Sequence, residues 1–224
     1  LSNMLANVIN LPAQHDNSHL FELIAQDIET KGFSIRPGAL PALIAESLLS
    51  HQLSLNSAKY QDAGIGRGED QITNRFVRTD EICWINGESD AGKRWLDWAN
   101  ELKNYLNRRL FLGLFSFESH FAHYPQGAFY KRHVDSFKGN TNRVLSLVTY
   151  LNSNWSNDDG GELVLYQDET DHVGTRVVPL MGTLALFLSE DFPHEVLPAA
   201  RDRYSVAGWY RVNSSMTDRV DPPR

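Results

Sequence analysis

His133, Asp135 and His194 are the side chains in this sequence best suited to hold a metal ion, and Arg203 is the one best suited to hold a carboxylate beside it. His133 and Asp135 lie two apart. Residues at that spacing on an extended segment project to one face, so an imidazole and a carboxylate can grip the same ion. His194 comes 59 positions after Asp135, beyond several expected strands, and a closed double-layered sheet can bring it back to the pair. Two histidines and one carboxylate on one side of a metal leave the opposite positions open, as non-haem Fe(II) chemistry requires. Zinc hydrolases use the same donor types, so the donors alone leave the metal undecided.

A lone His-x-Asp occurs by chance in many chains, usually as a surface histidine beside a turn aspartate. The weight here comes from the C-terminal partners. Pro193-His194-Glu195-Val196 is followed, nine residues after His194, by Arg203, which leads into Tyr204-Ser205-Val206-Ala207-Gly208-Trp209-Tyr210. A planar, permanently charged guanidinium clamps a carboxylate through two parallel hydrogen bonds. The distal carboxylate of 2-oxoglutarate needs such an anchor while its keto acid end chelates iron. The bland alternative for Arg203, a surface salt bridge, contributes only ~0–1 kcal/mol.

The elements that position these residues fall into two halves. Leu20, Leu23, Ile24 and Ile28 repeat at helical spacing, with Gly32 as a fitting stop. A second helix is expected from Pro41, burying Leu43, Ile44, Leu48 and Leu49, and a third after Asp90, with Trp95, Ala99, Leu102, Leu106 and Leu110 on one side. From about residue 114 the runs become short and rich in β-branched and aromatic residues: 114–117, 144–151, 162–166, 182–188 and 204–212. Many short strands without intervening helices indicate a mostly β fold with buttressing helices, a jelly roll or double-stranded β-helix. The expected organisation is a single domain, 1–224, with a mainly helical buttress over 1–113 and the jelly-roll core over 114–212. Gly64-Ile65-Gly66-Arg67-Gly68-Glu69-Asp70-Gln71 lacks the final glycine of a dinucleotide fingerprint and reads as a mobile loop.

Composition narrows the classes further. A net charge of −7 disfavours general adhesion to nucleic-acid phosphates or an anionic membrane. No run of about eighteen apolar residues suggests a membrane span. Cys83 is the sole cysteine and no signal peptide is apparent, so a cytoplasmic setting is expected.

From about residue 74 to 211 the chain resembles the 2-oxoglutarate/Fe(II) dioxygenases, and among them the prolyl 4-hydroxylases of oxygen-sensor type and their bacterial relatives. The likeness runs through Arg78-Thr79-Asp80-Glu81-Ile82-Cys83-Trp84-Ile85, Tyr124-Pro125, Tyr130-Lys131-Arg132-His133-Val134-Asp135, Arg143, Tyr150-Leu151-Asn152, Trp155 and Gly160-Gly161. It continues through Pro193-His194-Glu195-Val196, Arg203-Tyr204 and Trp209-Tyr210.

This resemblance implies His133, Asp135 and His194 as iron ligands, and Arg203 with the Tyr150 hydroxyl as the anchor of 2-oxoglutarate. It also implies Tyr124 lining the iron pocket, Trp209 walling it and ascorbate (vitamin C) keeping the iron reduced. A lysine replaces Arg203 in collagen-type relatives. Ala207 stands where animal sensor enzymes carry a polar residue. The segment 64–80 is expected to fold over the substrate, with Asp80 and Arg143 pairing across the site and Arg78 beside them. The implied reaction hydroxylates a prolyl residue of a protein with O2, releasing succinate and CO2; a translation factor is one target such a resemblance suggests. A pocket walled by Trp209, Tyr124 and Phe187 would keep it dry. Three other readings share the donor set: a nucleic-acid dealkylase, which usually presents a basic groove and stacking aromatics, a small-molecule hydroxylase, and a non-catalytic oxygen or metabolite sensor. No second metal site stands out among His15, His19, His51, His120, His123 and His172.

Overall fold

The computed structural model describes residues 16–63, 77–136 and 142–213. The main layer is a seven-stranded sheet in the order β1-β9-β6-β11-β4-β3-β2. Its strands are β1 (Phe33–Arg36), β2 (Gln61–Asp62), β3 (Glu81–Trp84), β4 (Ser116–Tyr124), β6 (Arg143–Tyr150), β9 (Leu184–Leu188) and β11 (Arg203–Arg211). A four-stranded sheet, in the order β5-β10-β7-β8, faces it, built from β5 (Tyr130–His133), β7 (Leu163–Leu165), β8 (Thr175–Val177) and β10 (His194–Val196). Every pairing between these strands is antiparallel. This is the double-stranded β-helix with helices outside.

Strand alternation sorts the side chains into two cores. On β6, β9 and β11, Leu145, Leu147, Leu184, Leu186, Val206 and Tyr210 point to the helices. Their neighbours Tyr150, Ala185 and Phe187 point between the sheets. The period of two therefore gives each central strand one face for stability and one for chemistry.

Helices α1 and α3 form as their apolar spacing predicts. In α1 (Ser18–Lys31), Phe21, Ile24, Ala25 and Ile28 are buried, and Gly32 ends it in the left-handed conformation at φ 78°, donating to the Ile28 carbonyl. A Cβ there would sit 2.8 Å from the Phe192 ring, so glycine is required both for the turn and for the close approach. Helix α3 (Asp90–Leu110) starts where the Ser89 side chain accepts from the Gly92 N–H, and buries Trp95, Trp98, Ala99, Leu102 and Leu106. Trp95 and Trp98 stack with centroids 5.6 Å apart.

Two expectations need correction. Helix α2 (Ala42–Ser54) buries Ala45, Leu48 and Gln52, while Leu43 is 66% exposed. Ala45, Leu48 and Gln52 make the narrow stripe, and Leu43 lies off it. In addition, β1, β2 and β3 join the same sheet as the later strands, so the sheet crosses the expected boundary at residue 113. Phe33-Ser34-Ile35-Arg36 and Glu81-Ile82-Cys83-Trp84 are too short to announce themselves by periodicity.

Candidate active site

His133 closes β5 and His194 opens β10, and the two are direct partners in the antiparallel ladder. Hydrogen bonding fixes which nitrogen of each ring faces inward. His133 Nδ1 lies 2.8 Å from the Lys131 carbonyl and His194 Nδ1 lies 3.0 Å from the Phe192 carbonyl. A carbonyl only accepts, so each Nδ1 carries its proton and each Nε2 presents a lone pair. Both lone pairs converge on Asp135, with His133 Nε2 3.6 Å from Oδ1 and His194 Nε2 3.6 Å from Oδ2. One donor atom from each of the three residues lies within 4.8 Å of the others, and no other such group occurs among the described residues.

The surroundings suit a metal. Burial opposes ionisation of Asp135, yet His194, His133 and Arg143 together hold its carboxyl well below the usual carboxylate range. Burial, with His133 adding to it, pushes the His194 imidazole down to about 4, so it is a neutral donor at pH 7. Phe187 packs against His194 at 4.8 Å between ring centroids.

Ser146, on the inward face of β6, donates to Asp135 Oδ2 at 2.6 Å and lies 2.9 Å from the Ser189 hydroxyl. Sequence reading missed this support, because a serine inside a strand carries no signature. Ser146→Ala is expected to weaken metal affinity roughly 10-fold, as loss of a ligand-orienting partner does. Titration of the variant with Co(II), followed by the metal's visible absorption, checks it.

Arg203 begins β11 and is only 1% exposed. Its Nε donates to the Gly161 carbonyl at 2.8 Å and its Nη1 to the Ser205 hydroxyl at 3.3 Å. No carboxylate lies within 4.0 Å of it among the described residues. Its guanidinium carbon sits 4.9 Å from the Tyr124 ring centre and 5.1 Å from that of Tyr150. The Tyr150 hydroxyl is fully buried without a hydrogen-bond partner. A buried cation beside a buried unsatisfied hydroxyl is a cradle for an anionic group with two oxygens.

The cradle depends on its backbone. Asn152 donates to the Tyr204 carbonyl at 3.0 Å and accepts from the Tyr204 N–H at 2.7 Å, tying the end of β6 to the start of β11. Gly161, at φ +72°, lets Arg203 pass: a Cβ would stand 3.2 Å from Arg203 Cδ and 2.9 Å from Ala199 Cβ.

The remaining expected site residues divide. Trp209 pairs with Ser146 in the ladder, so it stands beside the serine that holds Asp135, and Arg143 lies over its ring at 3.7 Å. Tyr124 is buried at the end of β4, opposite Arg203. The expected Asp80–Arg143 pair is not formed. Asp80 instead accepts from Arg78 Nε and Nη2 at 2.8 and 2.6 Å, and Arg143 bonds Glu118 at 3.0 Å. Arg78 is only two residues from Asp80 and reaches it with both prongs of its fork, leaving Arg143 to the buried Glu118 carboxylate. Residues 64–76 of the expected substrate loop lie outside the described residues; 77–80 are packed against β5, with Arg78 bridging to Tyr130. A cleft of about 230 Å³, lined by Asp62, Ala63, Arg78, Thr79, Asp80, Glu81 and Pro125, opens there.

His120 lies on the site face of β4, fully buried between Trp84 at 5.3 Å and Trp209 at 5.5 Å. Burial, reinforced by Arg78 and Arg143 and opposed by Asp80, pushes its imidazole down to about 4. The unfolded chain binds a proton at this residue near pH 6.5, so stability is complete above that value and falls as pH drops toward 4. About 2 kcal/mol should be lost between pH 7 and pH 5. Urea midpoints of parent and His120→Gln at both pH values should show a shallower slope in the variant.

Comparison with known proteins agrees with this geometry. The family model described as the 2OG-Fe(II) oxygenase superfamily matches residues 119–211, from β4 to the end of β11. A crystal structure of a Pseudomonas putida prolyl-4-hydroxylase is 37% identical, with a TM-score of 0.77, covering 87% of this chain and 100% of that one. A Trichoplax adhaerens prolyl hydroxylase, solved with a hypoxia inducible factor peptide fragment, is 29% identical with a TM-score of 0.77, covering 87% and 90%. Prolyl hydroxylase EGLN3 of Mus musculus is 29% identical over 201 residues, 84% of this chain and 82% of that one. With His133, Asp135 and His194 converging as a group that could hold a metal ion, the chain belongs to the 2OG-Fe(II) oxygenases, a 2-oxoglutarate- and Fe(II)-dependent dioxygenase of the prolyl hydroxylase type.

Proposed function

We propose that this enzyme hydroxylates a prolyl residue in a protein substrate, consuming O2 and 2-oxoglutarate and releasing succinate and CO2. The observation that carries the co-substrate is the buried Arg203 guanidinium, with no carboxylate partner among the described residues, beside the unsatisfied Tyr150 hydroxyl. The prolyl substrate rests on the 37% identity to the Pseudomonas putida enzyme and the likeness to the peptide-bound Trichoplax adhaerens enzyme.

Bound at this centre, Fe(II) and 2-oxoglutarate supply the oxidation of a substrate C–H bond. The residues of the chain do the rest. His133, Asp135 and His194 would hold the metal through two imidazole nitrogens and a carboxylate, the donor set of non-haem Fe(II) oxygenases. Arg203 and the Tyr150 hydroxyl grip the distal carboxylate and set its direction. Tyr124, Phe187 and Trp209 wall the pocket and keep water from the reacting atoms. Arg78, Asp80 and Arg143 line the approach for the peptide, with Asp80 acting through Arg78 because its own side chain is fully buried. Ascorbate as reductant, a translation factor as one candidate target and a cytoplasmic setting belong to the same proposal, on the likeness to the sensor-type and bacterial relatives and on the single free thiol of Cys83.

The experiment is succinate release by the purified enzyme with Fe(II), 2-oxoglutarate and ascorbate against proline-containing peptides, methylated oligonucleotides and free amino acids. Mass spectrometry of the peptides and of candidate proteins, translation factors included, reads the gain of one oxygen on proline. Proline-dependent succinate supports the proposal. Succinate driven only by oligonucleotide or by a free amino acid overturns it in favour of a dealkylase or a small-molecule hydroxylase. Binding of 2-oxoglutarate with no turnover on any of them points to a sensor instead.

A further inference from the structure

Tyr130 is not one of the three ligands, yet its ring lies 3.5 Å from the His133 ring, centroid to centroid, with the planes 15° apart. Two residues three apart on a regular strand face opposite sides, so this contact needs a cause. The ladder between β5 and β10 supplies it. His133 pairs with His194 and Tyr130 pairs with Val196, and the register shifts between them. Lys131 and Arg132 on β5 therefore stand against Glu195 alone. This is a β-bulge, and the extra residue turns Tyr130 onto the face of His133.

The other side of the ring is also taken. The Arg78 guanidinium carbon lies over Tyr130 at 4.2 Å from its centre. An imidazole at 3.5 Å and a guanidinium at 4.2 Å cannot share one face without overlapping, so the phenol is sandwiched between them. Arg78 in turn holds Asp80, and an isolated bridge joins Arg78 to Tyr130 in the backbone. Asp80–Arg78–Tyr130–His133 is thus one continuous chain of contacts, an ion pair followed by two ring contacts, from the cleft lined by Arg78 and Asp80 to the candidate ligand His133.

We propose that Tyr130 is a positioning residue for His133, and that through it the Arg78–Asp80 pair at the substrate approach sets the geometry of the metal ligand. Stacking on a planar ring stops the imidazole from turning about its ring axis, while its Nδ1 bond to the Lys131 carbonyl fixes the second direction. A guanidinium over the same ring holds the ring itself. Substrate contact that moved Arg78 would then be felt at His133.

The test is Co(II) affinity of the full chain, read by visible absorption without turnover, so it does not depend on the prolyl reading. Tyr130→Leu is expected to weaken Co(II) binding about 10-fold and Tyr130→Phe less than twofold, because the ring matters and the hydroxyl does not. Arg78→Ala should weaken it about threefold in the parent and not at all on top of Tyr130→Leu. Should Tyr130→Leu fold poorly, Tyr130→Phe and Arg78→Ala alone still decide. Parent-like affinity in Arg78→Ala, a Tyr130→Phe loss as large as that of Tyr130→Leu, or an undiminished Arg78→Ala effect in the Tyr130→Leu background overturns the proposal.

Discussion

Arg203→Met should lower kcat/KM for 2-oxoglutarate by between about 30-fold and several thousand-fold, since truncating one side of a buried, hydrogen-bonded charge pair costs about 2–5 kcal/mol or more. The loss should sit mainly in KM, because in the proposed role the guanidinium binds the end of the co-substrate that does not react. Stability should move the other way. Arg203 is a buried charge without a carboxylate partner among the described residues, and its bonds to Gly161 and Ser205 are to neutral groups. A methionine of similar length removes that uncompensated charge and keeps the apolar contact with Tyr124 and Tyr150, so the variant should unfold at an equal or higher urea concentration. Adding 2-oxoglutarate should protect the parent and leave the variant unchanged. Arg203→Lys should fall between, because an ammonium keeps the charge and loses the fork. A variant with the parent's KM would remove Arg203 from the co-substrate site.

Asp135→Ala should fail at an earlier step. The two Nε2 atoms each lie 3.6 Å from its carboxylate, and their rings are 4.2 Å apart. Removing the carboxylate leaves two imidazoles with no negative charge for a dication, and leaves the Ser146 hydroxyl with Ser189 in place of Asp135 to bond. Metal affinity should fall by more than about 100-fold, beyond what loss of an outer partner causes, and succinate release should drop to background. Raising 2-oxoglutarate should not restore it. Asp135→Asn keeps shape without charge and should behave nearly as badly. Co(II) titration separates this variant from Arg203→Met, which is expected to bind Co(II) like the parent. Activity alone would not tell them apart.

That His133, Asp135 and His194 converge was legible because they are rare residue types in a recognisable order, ending on an arginine and an aromatic strand. Helices α1 and α3 were legible from apolar spacing and from Gly32 and Asp90 at their ends. The strands β5, β8 and β10 were not, being three or four residues long with no room for alternation. Two of these carry the histidines. Ser146, Asn152 and Tyr130 were also invisible as supporting residues, because each acts through a partner distant in the chain or through a bulge. The Asp80–Arg143 pairing was misjudged because opposite charge does not say which of two arginines is nearer.

The residue types determined what could be bound here: nitrogen and oxygen donors for a divalent metal, and a permanent cation for a carboxylate. Tertiary structure alone decided that His194 meets His133 across a ladder, that both present Nε2, and that Arg203 is left without a counter-ion among the described residues. The reason is physical. Side-chain chemistry is local to a residue, whereas distance, burial and hydrogen-bond partners depend on which strands lie side by side, and a register shift of a single residue changes every one of them.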